Sequence, residues 1–398
     1  MNPSPLIPET PPAGEPWRGW YEDLYNGAPG ILLWHAARAH ADEASWETVH
    51  SWATAITRRR LTSDTVAGGL HRGVAAVAYA LHAAGDPSYE PVLNTLDHLV
   101  VNLTRNRLRH AYERLAAGQL PQLREFDLIR GLTGLGAYLL ARRTSTTIEA
   151  LLGVLDYLVR LTELRTIDDL PLPGWWSSDP PSGLSPADAD GGHGNFGLAH
   201  GISGPLALLS LSARREIVVD AHLDAIHRIY AWLDDQTCGS GDLVWWPEYV
   251  TVAAPALPTK PGRPSWCYGT PGIARAMQLA GIAVGEQAWQ RRAAQAMAAC
   301  ATDERQRTLI RDAGICHGWA GLVHTVRHMT ADGAALATVL PDLRSRLERQ
   351  LQREPPVDDG LLTGTSGIQL VLNNRAAAPA WDSCLLLDSA TRPMERTP

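Results

Sequence analysis

The chain has 398 residues, a formal net charge of −7, 45% hydrophobic residues and 19% charged residues. This composition is typical of a folded globular protein and excludes a chain that is disordered over most of its length. No run of about 18 apolar residues occurs, which excludes a transmembrane helix, and the acidic balance argues against a nucleic-acid partner because phosphate binding requires clustered basic residues.

Residues 1–17 form a Pro-rich N-terminal extension that we expect to be poorly ordered. They lack the basic start and the apolar stretch of a signal peptide. The chain has five cysteines, an odd number, and they are widely spread. These features argue against a disulfide framework and favour a cytoplasmic protein with free or metal-bound thiols.

A short pattern recurs along the rest of the chain: a glycine, two residues, a second glycine and then an apolar run typical of a helix. It occurs seven times if the copy in which Leu70 replaces the first glycine is included. The second glycines are Gly30, Gly73, Gly134, Gly204, Gly272, Gly321 and Gly367. The intervals between them, 43 to 70 residues, are long enough for two helices and a loop.

Amphipathic helices are predicted in the intervals between these patterns, because apolar residues recur there at steps of three and four. They cover residues 86–117, 146–163, 217–234, 284–300 and 335–352. Thr146 and Glu149 give the second of them a capping-box spacing. The runs after the glycines are more uniformly apolar, so we predict an all-α fold in which seven inner and seven outer helices form two concentric rings.

We expect this double ring to form a single domain over residues 18–375, followed by a C-terminal tail at 376–398. Strand signals are minor, and only residues 241–251 are predicted to form a short hairpin.

Reactive side chains occur at the glycine patterns of the fifth and sixth copies. A turn at the start of each inner helix would gather all seven turns at one end of the barrel and bring Cys267, Cys316 and His317 together. Two thiolates and one imidazole suit Zn²⁺, and three protein ligands leave a fourth position open, as in catalytic zinc sites. The alternative is that the glycines serve only turns and packing and that the three side chains are unrelated.

Three sequence strings resemble the motifs of the lanthionine synthetase C-like family and occur in the family's order. They are Asn195-Phe-Gly-Leu-Ala-His200-Gly-Ile-Ser-Gly204, Trp266-Cys267-Tyr-Gly-Thr-Pro-Gly272 and Cys316-His317-Gly-Trp-Ala-Gly321. The similarity extends from about residue 20 to about residue 370. The resemblance implies an α,α-toroid and one Zn²⁺ per chain, held by Cys267, Cys316 and His317.

The family chemistry implied by this resemblance is Michael addition of a peptide Cys thiol to dehydroalanine or dehydrobutyrine in the same peptide. Nothing of the size of a fused dehydratase precedes the first repeat, so the chain resembles a free-standing class I lanthipeptide cyclase. The expected partner is a dehydrated precursor peptide with its leader, and the cognate dehydratase is a second candidate. Two rival functions stay open: a non-catalytic toroid that binds peptide or glutathione, and a glycoside-acting barrel, which would require a second carboxylate beside Asp127.

The resemblance also assigns roles to three further residues, and the position of Tyr268 directly after Cys267 suggests a role for a fourth. His200 matches the family's motif His and is the candidate acid that protonates the enolate, whereas its alternative role is to cap an inner helix. Asp127 would orient His200 or accept the thiol proton, or else cap a helix. Arg263 would stabilise the enolate or hold a carbonyl, or else pair at the surface. Tyr268 would donate to the same oxygen or serve packing alone.

His324 and His328 lie four residues apart on the predicted sixth inner helix, which is a possible metal-binding face. The sequence places no third ligand beside them.

Overall fold

The computed structural model of this protein describes residues 7–167, 169–180, 191–241, 243–252, 258–373 and 381–388. The fold is the predicted α,α-toroid, with an inner ring of apolar helices surrounded by amphipathic ones. Across the described ranges, no helix combines the length and the apolar character that crossing a membrane requires.

The seven inner helices each begin at one of the seven glycine patterns. They are Ala28–His40, Val74–Ala84, Leu132–Arg142, Ser203–Ala213, Thr270–Val284, Trp319–Ala331 and Thr365–Asn373. Each inner helix contacts the next one, and the seventh contacts the first, which closes the ring. Burial on all sides explains why these helices have no polar face: in Ser203–Ala213, every residue except Ala213 is buried.

The outer helices pack on the inner helices that precede them in the chain. They are Trp46–Thr57, Glu90–Ala116, Ile148–Arg160, His222–Asp235, Gln287–Thr302 and Leu340–Arg353. The predicted seventh outer helix is not among the residues that the structure describes. Two short helices, Leu123–Phe126 and Glu304–Arg307, lie in the connections, as do the 3₁₀ turns Trp20–Glu22, Pro87–Tyr89 and Ala337–Val339.

A closed circle of backbone hydrogen bonds joins the seven turns that precede the inner helices. The donor N–H in each turn bonds to a carbonyl of the next turn, and the last returns to the first. The pairs are Leu24 to His71, His71 to Ile129, Leu128 to Ala199, Ala199 to Cys267, Cys267 to Cys316, Cys316 to Leu362 and Leu362 to Tyr25, at N···O distances of 2.9 to 3.4 Å. All seven turns therefore lie side by side at one end of the barrel.

Three two-stranded antiparallel sheets lie in the connections between helices. They pair Leu164–Ile167 with Leu170–Pro173, His193–Asn195 with Tyr249–Thr251, and Cys238–Ser240 with Leu243–Trp245. The hairpin predicted within residues 241–251 is therefore wrong. Gly239 and Gly241 adopt positive φ and turn the chain before Leu243. Residues 243–245 therefore pair with residues 238–240, and residues 249–251 pair with residues 193–195.

Both ends of the described chain pack against the ring. Ile7 is buried, and the carbonyls of Pro8 and Pro12 accept hydrogen bonds from the His35 ring and the Tyr21 hydroxyl. Residues 1–6 lie outside the described part.

Residues 381–388, part of the expected C-terminal tail, are buried inside the ring and include the 3₁₀ turn Ser383–Leu385. Their carbonyls accept hydrogen bonds from Tyr79, Trp266 and Arg275, which belong to different sides of the ring. This segment, here called the axial segment, therefore crosses the ring axis.

Candidate active site

Cys267, Cys316 and His317 lie together at the turn end of the barrel. Cys267 and Cys316 each precede the N-cap glycine of an inner helix by two residues. The backbone N–H of Cys267 donates to the carbonyl of Cys316 at 3.1 Å, so the two turns are adjacent. The possible ligand atoms of the three side chains all lie within 4.8 Å of one another. The ring closure predicted from the repeat therefore brings these three residues together.

The protonation behaviour of this cluster fits a divalent cation. A hydrogen bond from the Cys316 thiol lowers the pKa of Cys267 well below its usual value. The same hydrogen bond raises the pKa of Cys316, because the Cys267 thiolate holds its proton. A cation at this position would stabilise both thiolates at once. The donor set of two thiolates and one imidazole therefore fits Zn²⁺.

Asp312 holds the imidazole of His317 and was not identified from the sequence. Its Oδ2 lies 3.3 Å from His317 Nε2, and its Oδ1 accepts the N–H of Gly314 at 2.8 Å. On the other side, a hydrogen bond to Cys267 raises the pKa of His317. The imidazole thus lies between a carboxylate and a thiol, an arrangement that orients histidine ligands in metal sites.

A sequence signal for Asp312 does exist. In three copies an Asp or Asn stands six residues before the first pattern glycine and is followed by another residue and a glycine; these are Asn195-Phe-Gly197, Asp312-Ala-Gly314 and Asp358-Asp-Gly360. In each of them the side-chain Oδ1 accepts the N–H two residues later.

His200 and Asp127 form a hydrogen-bonded pair across neighbouring turns. His200 Nδ1 lies 2.7 Å from Asp127 Oδ2. The other oxygen of Asp127 accepts the N–H groups of Arg130 and Gly131, both at 2.7 Å. Because the Asp127 side chain is only 2% exposed and His200 is 34% exposed, the carboxylate is fixed and the imidazole reaches solvent. The carboxylate is an acceptor, so Nδ1 carries a proton and Nε2 is available for exchange.

Tyr268 links this pair to the cysteine cluster. Its ring stacks on His200 at a centroid distance of 5.7 Å, and it directly follows Cys267 in the chain. Burial raises the pKa of Tyr268 to about 12, so the hydroxyl keeps its proton at neutral pH. The hydroxyl also hydrogen-bonds to Asn195, whose site position was not predicted.

Arg263 is half-buried near the cysteine cluster. Its charge acts on both Cys316 and His317. Within the described residues, its Nε atom is buried and has no hydrogen-bond partner. A buried N–H without a partner is a potential donor to a bound substrate oxygen.

A cavity of about 380 Å³ adjoins His200 at the turn end. Tyr25 and His71 line this cavity, and neither was predicted to be a site residue. The Tyr25 hydroxyl hydrogen-bonds to Cys316, so the cavity and the cysteine cluster share a wall. Burial lowers the pKa of His71 to about 3, which makes it a neutral lining residue.

Comparison with known proteins gives the following matches. The model of the lanthionine synthetase C-like protein family matches residues 20–386. The chain is 24% identical over 323 residues to the nisin biosynthesis protein NisC of Lactococcus lactis subsp. lactis, which covers 75% of this chain and 72% of that protein. The solved structure of nisin cyclase matches with a TM-score of 0.79 and 22% sequence identity, covering 93% of each chain.

Proposed function

Because the chain belongs to the lanthionine synthetase C-like family, we propose that it is a zinc-dependent lanthipeptide cyclase. The observation that carries this proposal is the convergence of Cys267, Cys316 and His317 beside the His200–Asp127 pair. One group of side chains can hold a metal and the other can move a proton. Addition of a thiol to an activated double bond requires both functions.

The reaction proposed is intramolecular Michael addition in a dehydrated peptide. The sulfur of a substrate cysteine loses its proton and bonds to the β-carbon of dehydroalanine or dehydrobutyrine. The α-carbon then takes up a proton, which balances the proton lost from the thiol. A zinc ion held by Cys267, Cys316 and His317 would lower the pKa of a thiol at its open fourth position. Asp312 keeps His317 oriented for this ligand role.

His200 is the proposed acid for the α-carbon. Asp127 holds the Nδ1 proton and stabilises the charge that the ring acquires when Nε2 is protonated. The His200 side chain is 34% exposed, so its Nε2 atom is accessible to the bound peptide. Asp127 itself is 2% exposed, so it acts through His200 and not directly on the substrate.

Arg263 and Tyr268 are the proposed donors to the enolate oxygen. Charge develops on the carbonyl oxygen of the dehydro residue during the addition, and donors held ready for it lower the barrier. Arg263 supplies a permanent positive charge. Tyr268 supplies an O–H that stays protonated because burial raises its pKa to about 12.

The substrate is proposed to be a dehydrated precursor peptide with its leader, and the dehydratase that prepares it is the proposed partner. All five cysteines of the chain are free thiols. Free thiols fit a reducing compartment, so we propose that the reaction takes place in the cytoplasm.

The proposal is tested with dehydrated nisin precursor peptide as the probe. Cyclisation leaves the mass unchanged, so the rate is measured as the loss of alkylatable thiols by mass spectrometry at neutral pH. We expect acceleration over the uncatalysed reaction by the wild-type protein, and the uncatalysed rate with Cys316→Ala. Cys300→Ala, which removes a fully buried thiol from an outer helix, is the matched control and should retain the wild-type rate.

Wild-type protein that contains zinc and yet gives only the uncatalysed rate would contradict the cyclase proposal. The non-catalytic peptide-binding toroid would then be the better account.

A further inference from the structure

A second cluster of metal-ligand side chains lies away from the proposed active site, where the axial segment passes the sixth inner helix. It consists of His324, His328 and Asp382. Asp382 Oδ2 lies 2.9 Å from His324 Nε2 and 2.8 Å from His328 Nε2, and the two Nε2 atoms are 3.2 Å apart. All three residues are buried, with exposures of 2%, 8% and 2%. The sequence identifies His324 and His328 as a possible pair of ligands, and the fold brings Asp382 beside them as the third.

The triangle formed by these atoms has the dimensions of one face of a tetrahedral metal site. Zn–N and Zn–O bonds of about 2.0–2.1 Å place neighbouring ligands about 3.3 Å apart. The observed sides of 2.9, 2.8 and 3.2 Å are only slightly shorter. A point about 2.0 Å from all three atoms lies about 1 Å above their plane, which leaves one tetrahedral position on the far side.

The three atoms are also within hydrogen-bond distance of one another, and Asp382 Oδ2 faces both Nε2 atoms. Two imidazole nitrogens 3.2 Å apart can share one proton, with one nitrogen donating and the other accepting. A metal instead accepts a lone pair from each of the three atoms.

The His324 ring is fixed in this direction, because Trp381 stacks on it at a centroid distance of 5.0 Å.

We propose that His324, His328 and Asp382 form a second metal site, which takes Zn²⁺ or a similar divalent first-row transition metal. Two imidazoles and one carboxylate are a ligand set that such metals accept. Three protein ligands leave one position open, but the site is buried and joins the sixth inner helix to a segment more than fifty residues later, so the role assigned to it is structural. It fastens the axial segment in the centre of the ring.

The rest of the axial segment has its own contacts, so loss of the metal should not unfold the protein. Tyr79 donates to the Trp381 carbonyl at 2.8 Å, and Arg275 donates to the Leu387 carbonyl at 2.9 Å. Trp266, the residue before Cys267, donates to the Leu385 carbonyl at 3.1 Å. The axial segment therefore also contacts the turn that carries Cys267 of the proposed active site.

Metal content per chain, measured by elemental analysis after saturation with Zn²⁺ and removal of free metal, tests this proposal. We expect two zinc ions in the wild type, one in Asp382→Asn, one in Cys316→Ala and none in the double variant. Asp388→Asn is the matched control, because it changes another aspartate of the axial segment, one that pairs with Arg215 at 2.7 Å. This control should retain two zinc ions.

One zinc per wild-type chain that is lost in Cys316→Ala would overturn the second site while leaving the first intact. Two zinc ions in Asp382→Asn would overturn it as well. If Asp382→Asn does not accumulate as folded protein, His328→Gln serves the same purpose, because its amide can still donate to Asp382. The inference does not depend on the cyclase proposal, since metal content is measured without substrate.

Discussion

Two histidines of the proposed active site are each held by a carboxylate: His200 by Asp127 of the preceding turn, and His317 by Asp312 of its own turn. Asp127 lies 2.7 Å from His200, and Asp312 lies 3.3 Å from His317. The first pair is proposed to move a proton and the second to bind metal. Each carboxylate acts through its own imidazole. Removal of Asp127 should therefore change the rate of cyclisation, and removal of Asp312 should change the affinity for zinc.

Asp127→Asn should lower the rate of cyclisation by about 10²- to 10⁴-fold. The asparagine can still accept the backbone N–H groups at Oδ1, but its amide N–H would face His200 Nδ1 and force the other tautomer. Thiol alkylation measures the rate. Zinc content and the far-ultraviolet circular dichroism spectrum should stay unchanged. A rate within threefold of the wild type would show that Asp127 has only a structural role.

Asp312→Asn should weaken zinc binding at the cysteine cluster by about 10- to 100-fold, because the carboxylate orients His317. Competition with a chromogenic chelator measures the affinity, in the Asp382→Asn background so that only this site is counted. Asp358→Asn is the control, since Asp358 makes the same turn contact with Gly360 in the seventh copy. Equal affinities of the two variants would exclude a metal-orienting role for Asp312.

His71 should make the protein less stable in mild acid. Burial lowers its pKa to about 3, whereas the unfolded chain has a His pKa of about 6.5. The unfolded state therefore binds more protons below pH 6.5, and stability falls as pH falls through that value. The loss between pH 7 and pH 5 should be about 2 kcal/mol for this group.

Urea unfolding at pH 7 and pH 5 measures this loss, and His71→Leu should reduce it. An identical pH dependence in the variant would mean that His71 is not buried in its neutral form.

At the level of elements, the second glycine of each pattern is required by close approach of the backbone. In five copies, a Cβ at this glycine would lie 1.7 to 2.7 Å from the carbonyl oxygen six residues earlier, whereas real Cβ atoms essentially never come within 3.0 Å. Gly73 is the copy that also needs positive φ, at +82°. The turn before each inner helix therefore folds tightly only with glycine at this position.

Gly321→Ala should destabilise the protein by about 2 kcal/mol or more, because its Cβ would lie 1.9 Å from the Ile315 carbonyl oxygen. The distortion falls on the turn that carries Cys316 and His317, so zinc affinity should fall too. Urea unfolding and chelator competition measure both effects. Gly262→Ala, where the nearest atom is a side-chain oxygen at 3.7 Å, should leave both unchanged. Wild-type stability in Gly321→Ala would contradict this role of the glycine.

The outer helices could be predicted from the sequence because the burial of one helix face sets the spacing of their apolar residues. The five outer helices predicted from periodicity begin and end within five residues of the observed ones. Local capping was less predictable: the helix predicted to start at a Thr146 capping box is instead preceded by Thr147, whose hydroxyl accepts the N–H of Thr144. Several side-chain acceptors compete at such a terminus, and spacing alone does not rank them.

At the level of the whole molecule, the repeat made ring closure predictable, and ring closure places Cys267 beside Cys316. The axial segment was not predictable, because residues 381–388 carry no repeat and no periodic pattern. Its position depends on contacts with Tyr79, Arg275 and His324, which are far away in sequence. For the same reason, the third ligand of the His324 and His328 pair emerged only from the folded chain.

In the proposed mechanism, two cysteines from neighbouring turns, Cys267 and Cys316, bind one metal ion. The absorption spectrum of the protein saturated with Co²⁺ tests it most directly, because thiolate ligands give a charge-transfer band in the near ultraviolet and imidazole or carboxylate ligands do not. We predict this band in the wild type and in Cys300→Ala, and no band in Cys267→Ala or in Cys316→Ala, each of which loses the metal of the cysteine cluster. A cobalt-saturated wild type without the band would contradict the metal centre and, with it, the proposed mechanism.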